Sequence, residues 1–394
     1  MRISTAQMFQ QNINSVLNKQ SATSKIIDQI ASGKRVNTAG DDPVAAIGID
    51  NLNQQNALVD QFMKNIDYAT NRLALTESKL GTAETLTGSV REQILRAVNG
   101  SLSDSERQMI ADELKGTLEE LVSVANTKDE SGNYMFSGYE TGKQPFAFDA
   151  AGNVVYSGDS GVREAIVASG VTLGTNIPGD QAFMNAPSGL GDFSANYSTG
   201  QVGDFRVLSA TNSNPAALDT YSFTMNGTTL EVRDSSATLV TTVPGFDAAD
   251  PISFSGIEVK LDGQPAPGDT FSITPQSQVS VFDTINQAIT LLEDPNKVNT
   301  PQGKAELAQM LNNIDSGVNQ LSIARGEAGN SLKQIERYSS THVEEKLVNS
   351  SALSMLEDLD YASAITELEK QQLALNAVSS VFSKVGSTTL FDYI

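Results

Sequence analysis

Both ends of the chain carry apolar residues at seven-residue spacing. Near the start Ala6, Ile13, Gln20 and Ile27 form one row, and Phe9, Val16, Thr23 and Ile30 a second row offset by three. Near the end Tyr361, Leu368, Leu375 and Phe382 form a third row, flanked by Ala364, Gln371, Val378 and Val385. Rows of this kind predict two coiled-coil helices, each with one apolar seam. Longer rows lie inside them. Leu52, Val59, Ile66, Leu73, Leu80, Thr87 and Ile94 recur by seven, beside Gln55, Phe62, Ala69, Thr76, Ala83, Val90 and Ala97. Asp42 fits an N-cap and Pro43 a first helical position, which predicts a helix over 44–99. At 1.5 Å per residue it would be roughly 80 Å long, the length of a rod. Asn99-Gly100 ends it, and Ser103 with Glu106 predicts a capping box on a helix over 104–127. Ile110, Leu114, Leu121 and Ala125 would face inward there. A short helix over 280–293 and a long one from Pro301 follow, the latter with Leu307, Ile314, Leu321, Ala328, Ile335 and His342 spaced by seven.

Between the helical halves the pattern changes. Residues 141–280 hold 16 of the 30 glycines and 9 of the 12 prolines, a density no long helix survives. Alternating runs such as Tyr221–Met225 and Ile257–Leu261 read as strands, with turns at Asn226-Gly227 and Asp262-Gly263. The predicted fold class is mainly α with an inserted β domain. Both ends of the chain form a long antiparallel coiled-coil or helical-bundle rod, and the β-rich domain is inserted at its tip. Three domains are expected: a terminal coiled-coil assembly domain (1–38 with 358–394), a helical rod (39–140 with 281–357) and an outward-facing β-rich domain (141–280).

Charge sharpens the picture of the ends. The chain has 394 residues and a formal net charge of -21. That balance argues against a nucleic-acid partner and against an anionic membrane surface. Residues 1–35 are net +4, five bases against one acid, whereas residues 355–394 are net -4, six acids against two bases. Opposite signs favour pairing of one end with the other and disfavour pairing with its own kind. There is no cysteine, so no disulfide framework and no zinc site of the Cys/His type can form. No run of about 18 apolar residues occurs, so no membrane-spanning helix is expected, and the first residues lack the apolar core of a cleavable signal peptide.

No constellation for catalysis stands out. His342 is the single histidine and falls on a heptad row, where packing accounts for it. Asp41-Asp42 suits a helix start rather than a metal. No phosphate loop and no calcium-loop spacing is present. Neither a cofactor nor a metal is expected.

The terminal helices have too little apolar surface to stand alone. Burying a Leu or Ile gains about 1.5–3 kcal/mol, while ordering each residue costs about 1–2 kcal/mol. With Gln20, Thr23 and Gln371 inside the seams, the ends are expected to lack order in the free monomer and to fold on assembly. The expected subunit interface comprises Phe9, Ile13, Val16, Ile27, Ile30, Tyr361, Ile365, Leu368, Leu375, Val378, Phe382, Val385, Leu390 and Phe391.

Ser32-Gly33-Lys34-Arg35-Val36-Asn37-Thr38-Ala39-Gly40-Asp41-Asp42-Pro43 closely resembles the signature of bacterial flagellins and their junction relatives, in which a Ser-Gly-x-Arg-Ile/Val-Asn element leads to an Asp-Asp turn. Val90-Arg91-Glu92-Gln93, then Asn99-Gly100 and Ser103-Asp104, resemble the flagellin rod. The turn from Asp129 to Tyr139 and the ending Leu390-Phe391-Asp392-Tyr393-Ile394 are similar to those of the hook–filament junction branch of the family. The resemblance covers both helical ends, and the size of the inserted β domain departs from common members. It implies a structural adaptor with Arg35, Asn37, Asp41, Asp42 and Pro43 as its signature loop. It also implies secretion in an unfolded state through the flagellar type III apparatus, and a cytoplasmic export chaperone on the C-terminal region. Assembly would be as a homo-oligomeric ring in the extracellular flagellum, between the first hook-associated junction protein and the flagellin filament. A filament flagellin subunit is the alternative. A secreted enzyme with a catalytic insert in 141–280 is a third reading, against which stands the lack of His and Cys there.

Overall fold

A computed structural model of the chain describes residues 5–99 and 102–387. Among the described residues six α-helices and a β-rich segment make up the fold, and the strands lie in sequence between the third and fourth α-helices. The helices are α1 (Thr5–Ser32), α2 (Pro43–Asn99), α3 (Asp104–Ala125), α4 (Val281–Glu293), α5 (Pro301–Glu357) and α6 (Tyr361–Ser387). They divide between two compact units, Met1–Lys64 with Tyr338–Ile394 and Asn65–Arg337. The expected rod segment is thus shared, since α2 and α5 each contribute to both units.

In the larger unit the heptad rows are the core. Ile66, Leu73, Leu80, Thr87 and Ile94 of α2 are buried, as are Ala69, Thr76, Ala83 and Val90. Leu307, Ile314, Leu321, Ala328 and Ile335 of α5 are buried as well. The two helices run antiparallel here: Arg325 Nε reaches Glu77 at 2.6 Å, and Arg91 pairs with Asp315. The buried threonines add no unsatisfied hydroxyls. Thr76 and Thr87 donate to the carbonyls of Arg72 and Ala83, one turn back. The start of α3 carries the expected capping box, with Ser103 and Glu106 bonded reciprocally. Gly100, expected to stop α2, lies outside the described residues.

Among the described residues the β-rich segment has three two-stranded sheets and two larger sheets that pack as a sandwich with a period-two burial pattern. One antiparallel sheet orders Leu239–Val243, Thr229–Arg233, Tyr221–Asn226, Thr270–Pro275 and Phe193–Tyr197. The other orders Ile252–Phe254, Ile257–Asp262 and Arg206–Asn212. Tyr221, Phe223, Met225, Ile257, Val259 and Leu261 point into one shared core, as alternation requires. Phe223 and Phe271 stack there with centroids 4.5 Å apart. Asn226-Gly227 makes the expected hairpin, with Gly227 at φ 63°. Asp262-Gly263 differs: the chain leaves the small sheet there and enters the large one, so this turn joins sheets rather than neighbouring strands.

Phe136, Phe146, Phe183 and Phe282 form a second aromatic cluster, with Phe146 and Phe282 5.2 Å apart. Phe136 enters it from the turn that follows α3. Asp129 shapes that turn, its Oδ1 accepting from the N–H groups of Ser131 and Asn133.

Candidate assembly interface

The smaller unit holds the signature loop, and the loop is fastened to the opposite end of the chain. Helix α1 stops at Ser32 and α5 at Glu357. The segments that follow them run side by side as a short antiparallel bridge between Lys34 and Asp358. Arg35 N donates to Glu357 O at 2.6 Å, and Leu359 N donates to Gly33 O at 3.0 Å. The Arg35 guanidinium reinforces the bridge through Nη2 to Leu356 O at 2.7 Å. Lys34 and Glu357 form an ion pair beside it. Carbonyl and amide groups freed by two interrupted helices thus satisfy one another.

Acidic side chains shape the loop. Asp41 Oδ2 accepts from the N–H groups of Asn37 and Thr38, at 3.1 and 2.9 Å. Its other oxygen lies 2.8 Å from Lys25 Nζ. The Lys25 ammonium first, and then the two amides, hold the Asp41 carboxyl far below the usual carboxylate range. Asp42 caps α2 by accepting from Ala45 N at 3.1 Å, and that bond with the nearby Arg35 lowers its pKa too. Pro43 opens the helix, where its missing N–H costs nothing. Asn37 accepts from Ser32 Oγ at 2.8 Å. Asp360 begins α6 in the same way, bonded to Ser363 and Ala362. The partners Lys25, Leu356, Glu357 and Asp358 were not singled out from the sequence. The available signal was that the heptad rows of both ends break there.

Helices α1 and α6 pack along each other, and Lys19 Nζ donates to Gln371 Oε1 at 3.1 Å between them. Over the described residues the two terminal segments are thus helical and paired with each other. The pairing is shallow. Ile13, Val16, Ile30, Leu368, Leu375 and Val378 are half-buried, whereas Ile27, Tyr361 and Ile365 remain exposed. Outside the seam, Leu17 and Leu373 are 56% and 70% exposed. Two helices can close one face each, and the apolar residues beyond that face stay in water. Phe9, Phe382 and Val385 have no described side chain, and Leu390 and Phe391 lie outside the described residues.

The adjoining stretches of α2 and α5 add to this surface. They run antiparallel in the smaller unit, with Lys346 2.6 Å from Asp60 and Asn349 bonded to Asn56 at 3.0 Å. His342 packs as its heptad position predicts: it is 4% exposed, stacks on Phe62 at 5.4 Å and bonds to Glu345 at 2.8 Å. Val44, Leu347 and Met355 are nonetheless largely exposed. Among the described residues no group of His, Cys, Asp and Glu could hold a metal ion, and no helix is long and apolar enough to cross a membrane.

Residues 3–141 match the model of the bacterial flagellin N-terminal helical region. Over its whole length the chain is 26% identical to flagellar hook-associated protein 3 of Salmonella typhimurium, covering 99% of that protein. Among solved structures, flagellar hook associated protein-3 of Legionella pneumophila superposes with a TM-score of 0.69 at 30% identity, over 78% of this chain and 98% of that one. The Xanthomonas campestris relative FlgL superposes with a TM-score of 0.67 at 29% identity, over 77% of this chain and 99% of that one. With a full-length relative and a solved relative 30% identical over nearly all of its length, the chain belongs to the flagellar hook-associated protein 3 family.

Proposed function

We propose that this chain is a structural adaptor of the bacterial flagellum that joins the hook, through the first junction protein, to the flagellin filament. The observation that carries the reading is the shallow α1–α6 pair, which leaves Leu17, Ile27, Ile365 and Leu373 exposed. Such a surface is completed by other helices of its own kind. Ile13, Val16, Ile30, Leu368, Leu375 and Val378, half-closed within the chain, become fully buried when copies pack into a ring. The interface read from the sequence also includes Phe9, Phe382, Val385, Leu390 and Phe391. In the assembled junction the terminal domain (1–38 with 358–394) lines an inner tube. The helical rod (39–140 with 281–357) surrounds it as an antiparallel coiled coil. The β domain (141–280), inserted at the rod's tip, faces outward and carries 14 acids against 5 bases. The chain reaches the extracellular flagellum by type III export, its C-terminal region held beforehand by a cytoplasmic chaperone. Its role is architectural rather than enzymatic.

Deletion of the gene tests the reading. Cells lacking this protein should build hooks and release flagellin monomer without a filament. Normal filaments in the deletion strain would refute the adaptor role, as would hooks that release no flagellin.

A further inference from the structure

Two guanidinium groups share one pocket in the larger unit. Arg72, on α2, is 4% exposed. Its Nη1 donates to Tyr68 Oη at 3.0 Å and to Asp129 Oδ2 at 3.1 Å. Its Nε and Nη2 are buried, and among the described residues neither has an acceptor. Arg163 is the second group. Its backbone is clamped: its N–H donates to Asn176 Oδ1 at 2.6 Å, and its carbonyl accepts from Thr175 N at 2.7 Å. Its Nε and Nη2 are likewise buried and lack an acceptor among the described residues. Both side chains line an open pocket of about 760 Å³, together with Asn65, Tyr68, Tyr139 and Thr175.

The same edge is unfilled in both arginines. Nε and Nη2 lie on one side of a guanidinium and donate two parallel hydrogen bonds to a carboxylate or phosphate. Leaving such donors buried and unmade is unfavourable, the more so when they carry charge. The local charges point the same way. Burial first and the Arg72 charge second push the Arg163 pKa down to about 10. The nearby carboxylates are occupied. Asp129 accepts from Arg72, Ser131 and Asn133, and Asp159 accepts from Tyr139 N and Gly161 N.

We propose that Arg72 and Arg163 form a binding site for one oxyanion, a carboxylate or a phosphate group, gripped by their paired Nε and Nη2 donors. The site is independent of the junction role. It would let the larger unit take either a free anion or an acidic side chain of a neighbouring protein.

The test is thermal melting of the intact protein in sodium phosphate or sodium glutarate, against sodium chloride at equal ionic strength. A saturable rise in Tm of about 2–4 °C is expected, lost in Arg163→Gln and kept in Arg206→Gln, which removes a guanidinium outside this pocket. A rise with phosphate alone assigns a phosphate site, a rise with glutarate alone a carboxylate site, and a rise with both a general oxyanion site. No rise over chloride with either anion overturns the proposal, as does an equal rise in Arg163→Gln. Should Arg163→Gln fail to fold, Arg163→Lys serves the same comparison, because it keeps the charge without the paired edge.

Discussion

Gly33 lies directly under the phenol of Tyr361: a Cβ at Gly33 would stand 2.9 Å from the Tyr361 hydroxyl. The contact joins the residue just past one terminal helix to the first residue of the other. Gly33 also sits at φ 72°, in the left-handed region that side chains other than glycine rarely adopt. Two independent demands therefore fall on one residue.

The first prediction separates them. Gly33→Ala should destabilise the α1–α6 pairing by about 1–2 kcal/mol, the left-handed penalty plus crowding. Tyr361→Phe removes the crowding hydroxyl and leaves the φ penalty. The double variant should thus recover part of the loss and no more. Far-UV circular dichroism melts of the two single variants and the double variant would measure the coupling; strict additivity would mean that the two residues do not interact.

Acid should release the signature loop late. The Asp41 carboxyl has its folded pKa depressed by Lys25 and by the Asn37 and Thr38 amides. A depressed carboxylate contributes stability that is complete above its unfolded pKa, about 3.9, and is lost as pH falls through the lower folded value. Protection of the loop amides against exchange should therefore hold down to about pH 4 and decline below it. Asp41→Asn should show weak protection of Asn37 and Thr38 already at neutral pH. Equal protection in the variant and the parent would remove Asp41 from its assigned place.

The β sandwich should fail on its own terms. Phe223 is fully buried and stacks on Phe271. Phe223→Ala removes a large core side chain and should cost about 3–5 kcal/mol, read as a lowered melting transition of the β-rich segment. The α1–α6 helices lie in the other compact unit, so their helical signal should persist after that transition.

Assembly should be blocked without unfolding. Leu373 on α6 is 70% exposed, so Leu373→Asp removes little from the single chain, within about 0.5 kcal/mol. A charge placed in a surface that packs against other subunits is strongly unfavourable. Cells carrying the variant should make the protein and lack filaments. Wild-type filament growth with Leu373→Asp would place the interface elsewhere.

The chain by itself determined its helices and their inward faces. Rows such as Leu73, Leu80 and Ile94 carry a strict period over many turns, and period alone decides which side of a helix is buried. The capping box at Ser103 and Glu106 and the helix start at Asp42-Pro43 are equally local, set by hydrogen bonds within four residues. The alternation that makes Tyr221–Asn226 a strand is local too. Tertiary structure decided what those faces meet. Arg35 finds the carbonyl of Leu356 across 321 positions of sequence, and no periodicity encodes a partner that distant. It also decided that α1 and α6 close one seam within the chain and leave the rest open, which depends on how many helices are present. The Arg72–Arg163 pocket was invisible for the same reason. Its two arginines sit on separate elements, one in a heptad helix and one beside a short strand, and only the fold brings their unfilled edges into one pocket.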